Sequence, residues 1–264
     1  LALSFTGVEV DGYKVGGYIP VCNAVLEDSD IALASEIISA LGQSIGYALD
    51  KAILYGTGTK MPLGIVTRLA QTAKPDSYPS TARSWADLHT SNIKTITAAN
   101  STGVKLFQSI VTASAAAKGK YSAGAKFWAM SEATYTTLMA EALTINAAGA
   151  VTTGMMQTMP VIGGAIEILD FIPDNNIIGG YGDLYLLAER AGTAIAQSEH
   201  VRFIEDQTVF KGTARYDGLP VIAEAFVAIG LSATAPTTSA TFAADSANAT
   251  SSDTQSQNGG TGSN

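Results

Sequence analysis

The sequence of 264 residues contains one cysteine, Cys22, and two histidines, His89 and His200. A single thiol excludes an intrachain disulfide and a cysteine-based zinc site. Cys22 reads as a small apolar side chain buried near the start of the fold. Two histidines leave little material for an imidazole metal centre, so neither metal nor cofactor is expected. Charge is also scarce, with Asp, Glu, Lys and Arg making up 14% of the chain, against about a quarter in an average soluble domain. The 15 basic residues form no run and the net charge is −8. Gripping nucleic acid through its phosphates requires clustered cations, so direct DNA binding is not expected. A surface that only encloses DNA is served by mild repulsion. No run approaches the roughly 20 apolar residues of a membrane helix, and nothing resembles a signal peptide.

What is present is a 47% hydrophobic chain, long enough for one large or two modest domains. So charge-poor a surface suggests that much of it meets other protein. Tyr13, Val15, Ile19 and Val21 alternate as in a half-buried strand, and Pro20 places that strand at an edge. Asp28, Ser29 and Asp30 then offer N-caps to a long amphipathic helix running from Asp30 to Tyr55. Its stripe is Ile31, Ala34, Ile38, Leu41, Ile45, Ala48 and Ala52, with 3,4 spacing and a length of roughly 40 Å. Gly56 and Gly58 end it and Pro62 bars its continuation.

Residues 68–84 read as a polar loop. Helices are expected over Trp85–Ala99 behind a Ser84 cap, over Val104–Ala117, and from a Ser131 cap to Leu143 after a strand at Lys126–Met130. Residues 144–158 read as a loop. Beyond lie candidate strands at Pro160–Val161, Ile166–Leu169, Leu184–Leu187, Thr193–Gln197, Val209–Tyr216 and Val221–Ile229. Pro173–Asp174–Asn175, Gly179–Gly180 and Asp217–Gly218 supply turn signals. From about Ser232 to Asn264 the composition is that of a disordered tail.

Two stretches imitate catalytic motifs. Gly42–Gln43–Ser44–Ile45–Gly46 matches the nucleophile elbow of serine hydrolases, and Asp183 and His200 follow in the right order. That chemistry needs a strained strand-to-helix turn, whereas this match lies inside a helical stripe, where small residues permit close packing. Gly56–Thr57–Gly58–Thr59–Lys60 hints at a phosphate cradle but closes a helix instead of opening one. No catalytic residue is assigned.

Three segments in order carry a family resemblance. "ALDKAILYGTGTKMPLGI" (48–65), "KFWAMSEATYTTLM" (126–139) and "GGYGDLYLLAERAGTAIAQSEHVRFIEDQTVFKGTARYDGLPVIAEAFVAI" (179–229) resemble the spine-helix end, the strand-to-helix step and the closing segment of tailed-bacteriophage major capsid proteins. The resemblance implies an α+β Hong Kong 97-type capsid fold with a long spine helix and a disordered C-terminal tail. It further implies a peripheral domain (1–61 and 190–218) and an axial domain (62–189 and 219–230).

The implied function is that of a non-enzymatic subunit forming pentamers and hexamers of an icosahedral shell around double-stranded DNA. Such a shell assembles in the bacterial host cytoplasm with a scaffold, a maturation protease and a portal. Glu199, His200, Arg202 and Asp206 would lie at a peripheral tip and contact neighbouring capsomers, and Gly56, Gly58 and Gly218 would act as hinges. Family members also carry an N-terminal arm and an extended loop, and this chain begins at about the end of that loop. The alternatives are an encapsulin-type nanocompartment shell, a serine hydrolase using Ser44, and a surface-layer or adhesive protein suggested by the Ser/Thr-rich tail.

Overall fold

The computed structural model describes residues 7–8, 10–29, 31–76, 78–145, 151–152 and 158–242. In chain order the strands and α-helices are β1 (Tyr13–Cys22), α1 (Asn23–Glu27), α2 (Leu33–Tyr55), α3 (Ile65–Ala70), β2 (Ile93–Thr95), α4 (Gly103–Ser114), β3 (Lys126–Met130), α5 (Glu132–Ala142), β4 (Thr144–Ile145), β5 (Val151–Thr152), β6 (Ala165–Ile168), β7 (Asn176–Tyr181), β8 (Tyr185–Arg202), β9 (Gln207–Pro220) and β10 (Phe226–Gly230). They build a five-stranded mixed sheet, β2-β10-β7-β3-β6, and a long antiparallel sheet, β1-β9-β8.

The five-stranded sheet is buried on both faces because its strands alternate apolar side chains. Val227 and Ile229 of β10, Ile177 of β7, and Trp128 and Met130 of β3 share one core with Leu106 and Ile110 of α4 and Leu138 of α5. The intervening Phe226, Ala228, Ile178 and Ala129 share the other with α3 and with Leu54 and Tyr55 at the end of α2. Burial without a hydrogen-bond partner among the described residues pushes the Tyr55 hydroxyl pKa up to about 12. Ser131 caps α5 as expected, its hydroxyl accepting from the Thr134 amide. Asn92 is buried and donates to the carbonyls of Phe226 (2.7 Å) and Ala116 (3.1 Å), tying the loop before β2 to β10 and to the end of α4.

The long sheet is thinner. α2 covers it through Leu41 and Ile45 against Phe210 and Ala214 of β9, all four buried. A Cβ at Gly212 would lie 3.0 Å from Ile45 Cδ1, so the absent side chain lets helix and strand approach. At 23 residues α2 is about 35 Å long.

Several expectations need correction. Trp85–Ala99 is not a helix; its apolar and β-branched residues serve instead a loop and β2, which pairs in parallel with β10. Trp85 lies under the Arg68 guanidinium, 5.0 Å from the ring centre, and Asn92 bonds to backbone, so tertiary contacts outweigh local helical spacing. The spine helix begins at Leu33 with Ala32 as a cap without a side-chain bond; Asp30 lies outside the described residues. Pro160–Val161 is a turn, with Val161 at φ 70°. Gly179 and Gly180 sit inside β7, because a Cβ at Gly179 would collide with the Trp128 ring. Asp217–Gly218 is inside β9, and the two strands expected at Leu184–Leu187 and Thr193–Gln197 are one, β8. Cys22 is exposed, on the side of β1 that also carries the exposed Lys14, Tyr18 and Pro20. Residues 144–145 and 151–152 form a small hairpin; the other residues of the expected 144–158 loop that fall in 146–150 and 153–157 lie outside the described set.

The first part of the expected disordered tail is fixed. The Ala233 amide donates to the Ile96 carbonyl (2.7 Å) and the Thr237 amide to Asn176 Oδ1 (2.6 Å). Lys51 Nζ donates to the Thr241 carbonyl (2.8 Å) and lies over the Phe242 ring. Its backbone groups thus find partners that composition alone cannot reveal; residues 243–264 lie outside the described set.

Replacing Asn92 by alanine leaves two buried carbonyls without their donor and is expected to cost about 2–3 kcal/mol. Chemical denaturation of the subunit measures this, and a loss below about 0.5 kcal/mol contradicts the assigned role.

Candidate functional site

The most distinctive surface is the far end of the β8–β9 hairpin. β8 ends at Arg202, a single 3-10 turn covers Phe203–Glu205, and Asp206 takes the left-handed conformation (φ 51°, ψ 52°) that starts β9. An acidic side chain tolerates this conformation better than most. Arg202 Nη1 donates to Glu205 Oε2 (2.7 Å) and Gln207 Oε1 (3.3 Å). Asp206 Oδ1 accepts from Asn23 Nδ2 (2.7 Å), and its carbonyl accepts from the Asn23 amide (3.0 Å). Thr208 Oγ1 donates to Asn23 Oδ1, so the end of β1 and the tip form one hydrogen-bonded knot.

Of the residues expected to make intercapsomer contacts, Arg202 and Asp206 therefore have bonds within the subunit. Glu199 and His200 lie exposed on β8 just before the turn. The sequence reading overlooked what the knot displays. Val201, Phe203 and Ile204 are 71%, 78% and 98% exposed. Three adjacent apolar side chains on a braced turn depart from the usual single exposed hydrophobe. The segment "HVRFIED" (200–206) carries these apolar side chains beside its charges, and the turn shows them to be surface.

The catalytic imitations dissolve in the structure. Ser44 is exposed in mid-α2 and its hydroxyl donates to the Ala40 carbonyl, 2.8 Å away. Asp183 receives the Ser122 hydroxyl (2.7 Å) and the Ala123 amide (3.0 Å), and these bonds hold its pKa below the usual carboxylate range. His200 is on the distal hairpin. The close packing expected at Gly42 and Gly46 is not seen within the subunit, since a Cβ at either meets nothing within 4 Å. Gly56 ends α2, and a Cβ there would collide with the Pro62 and Ala52 carbonyls; Gly58 has φ 76°. Gly218 lies in β9 with the Leu186 carbonyl 2.7 Å and the Tyr185 ring 2.9 Å from where a Cβ would be, and its own carbonyl accepts from the Leu63 amide (2.8 Å). Among the described residues no group of His, Cys, Asp and Glu could hold a metal ion, and no helix is long and apolar enough to cross a membrane.

The family model described as "Phage capsid family" matches residues 1–230. The chain belongs to the phage capsid family. Among solved structures it is similar to the capsid of an empty GTA particle computed with C5 symmetry, at 17% identity and TM-score 0.61, covering 88% of this chain and 79% of that one. It is likewise similar to a Microbacterium phage Oxtober96 chain (14% identity, TM-score 0.60, 84% and 73% covered) and to a Mycobacterium phage Bobi chain (16%, 0.58, 85% and 73%). No curated protein matches. This phage capsid family member has the expected α+β Hong Kong 97-type fold and is a structural subunit of a capsid.

Because the tip of this capsid subunit makes no core contact, Ile204→Asp is expected to change stability by no more than about 0.5 kcal/mol. Thermal unfolding of the purified subunit checks this, and a larger loss means that Ile204 is packed within the subunit.

Proposed function

We propose that this subunit closes an icosahedral shell of pentamers and hexamers around double-stranded DNA, with the Val201–Asp206 tip as a contact between capsomers. The observation that carries the proposal is the exposed Phe203–Ile204 pair on a turn held by Arg202, Asn23 and Asp206. A capsid subunit loses little by exposing such a pair when a neighbour covers it. The peripheral part comprises 1–61 and 190–218, with α2 and the outer length of β8 and β9. The axial part comprises 62–189 and 219–230, around the five-stranded sheet. Glu199, His200, Arg202 and Asp206 set the register of the contact, and Val201, Phe203 and Ile204 supply its burial.

Gly56, Gly58 and Gly218 lie where α2 and β9 pass from one part to the other, which suits a joint accommodating five- and six-fold rings. The enclosed DNA is not gripped, in keeping with a net charge of −8 and scattered cations. Assembly takes place in the host cytoplasm with a scaffold, a maturation protease and a portal, and the subunit itself catalyses nothing. The match to a phage capsid family model favours DNA over enzyme cargo.

The test is negative-stain electron microscopy of the full gene product and two variants. Uniform closed shells are expected from the unmodified protein. The double variant Phe203→Asp/Ile204→Asp is expected to lower their yield about tenfold or more, from the burial lost at two apolar side chains. Arg202→Glu, which breaks the brace, is expected to lower it as well. Normal shells from both variants contradict the tip assignment, and soluble monomers from the unmodified protein contradict the shell.

A further inference from the structure

Immediately after β10 the chain turns sharply and stays on the protein. Ser232 and Ala233 both take left-handed conformations (φ 53° and 61°), which residues other than glycine keep only where surrounding contacts offset the cost. Those contacts are present. The Ser232 amide donates to Ser101 Oγ (3.0 Å), the Ala233 amide to the Ile96 carbonyl (2.7 Å) and the Thr234 amide to the Leu231 carbonyl (2.9 Å). Pro236 is buried, and the Thr237 amide satisfies Oδ1 of Asn176, itself only 2% exposed. A stretch of Thr, Ala, Pro and Ser has too little apolar content to order itself, so its course is set by what it crosses. From the ends of β2 and β7 it reaches α2. There Lys51 Nζ donates to the Thr241 carbonyl (2.8 Å) and lies 5.4 Å from the centre of the Phe242 ring. Ala240 and Phe242 pack on the core that holds Leu54 and Tyr55.

The place it reaches is a seam. Leu41 and Ile45 turn one face of α2 to the long sheet, whereas Tyr47, Asp50, Lys51 and Leu54 follow the i, i+3, i+4, i+7 spacing of a second face. This second face meets the chain in and just after β6. Tyr47 and Tyr55 both pack edge-on against Phe171, with ring centres 5.3 and 6.4 Å apart, and the Tyr47 hydroxyl is hydrogen-bonded to Asp170. The same seam carries a conflict. Burial, and after it the negative charge of Glu167 on β6, raise the Asp50 pKa. Two carboxylates of like charge push α2 away from β6. The aromatic contacts and the grip of Thr241 and Phe242 on Lys51 act in the opposite sense.

We infer that residues 231–242 are a clasp that fixes the C-terminal half of α2 on the five-stranded sheet against the repulsion between Asp50 and Glu167, and so holds the angle between helix and sheet that a uniform shell needs. One end of the clasp is anchored at β2 and β7 and the other on the helix, so it spans the seam that would otherwise open. The family match, which stops at residue 230, does not account for it. The control of angle rests on the shell-subunit reading above, whereas the clasp itself is a property of the single subunit.

The test compares the full gene product with Phe242→Ala, Asp50→Asn and the double variant. Amide hydrogen exchange is read on dispersed subunits and diameters on assembled shells by electron microscopy. Phe242→Ala is expected to speed exchange in the C-terminal half of α2 about five- to tenfold while leaving α4 and α5 unchanged. Adding Asp50→Asn, which removes the repulsion, is expected to bring that exchange back to within about twofold of the parent. Unchanged exchange in Phe242→Ala overturns the clasp, and so does an equal rise in α4 and α5, the mark of general destabilisation. A local rise that Asp50→Asn does not reverse overturns the opposition between clasp and carboxylates. Ring closure depends on the angle at which copies meet, so Phe242→Ala shells are expected to spread in diameter about twofold more than parental ones, with uniformity restored in the double variant. Equally uniform shells overturn the control of angle. Absence of shells from the unmodified protein overturns the capsid reading, and the exchange result then still decides the clasp.

Discussion

The long three-stranded sheet depends on one strand. β9 pairs with β1 along ten consecutive positions, from Tyr13↔Tyr216 to Cys22↔Gln207, and with β8 on its other side. It offers Phe210, Gly212 and Ala214 to α2, and through Leu219 and Pro220 it runs into the five-stranded sheet. As the middle strand it joins β1 to β8 and carries most of the packing of α2 on this sheet. The register also explains the shape of the tip. Three irregularities in β8, at Glu189/Ala191, Ala191/Ala194 and Ser198/Arg202, place extra residues against a regular partner, the arrangement that bends a strand and increases its twist.

The two sheets illustrate two routes to stability. The five-stranded one has a buried cluster on each face, and its β10 is buried at all five positions. The long one is a ribbon with α2 on one side and little else. An open ribbon of this kind loses the burial that a domain of its length could have, and regains it when subunits pack together. The scarcity of charge follows from the same economy of contacts: surface that ends up against protein does not need an aqueous coat. Many modest contacts repeated over a closed object reach a stability that none has singly.

The sequence announced the parts of the fold that obey local rules. The spine helix, the Lys126–Met130 strand with its Ser131 cap, and the alternation of β1 all follow from period and capping. It was misleading where tertiary contact overrides propensity. Gly179–Gly180 looks like a turn, yet the Trp128 ring requires glycine inside a central strand. Trp85–Ala99 has helical spacing, yet Asn92 and Ile93 serve β10. The first part of the tail is held by backbone bonds at Ala233, Thr237 and Thr241 and by Phe242 beside Lys51, which no composition rule anticipates. The family resemblance points to the turn Ser198–Asp206, which the structure makes the end of β8, a single 3-10 turn and the left-handed Asp206. Its apolar character was written in Val201, Phe203 and Ile204, and only their exposure shows that they are surface and not core.

The central claim is that the braced hairpin tip is incomplete surface, finished by another subunit. Electron cryomicroscopy of shells assembled from the full gene product tests it most directly. The account predicts that Val201, Phe203 and Ile204 lie against protein density of a neighbouring capsomer at every quasi-equivalent position, with the Arg202–Glu205 and Asn23–Asp206 bonds retained. A closed shell in which these three side chains face solvent would contradict it.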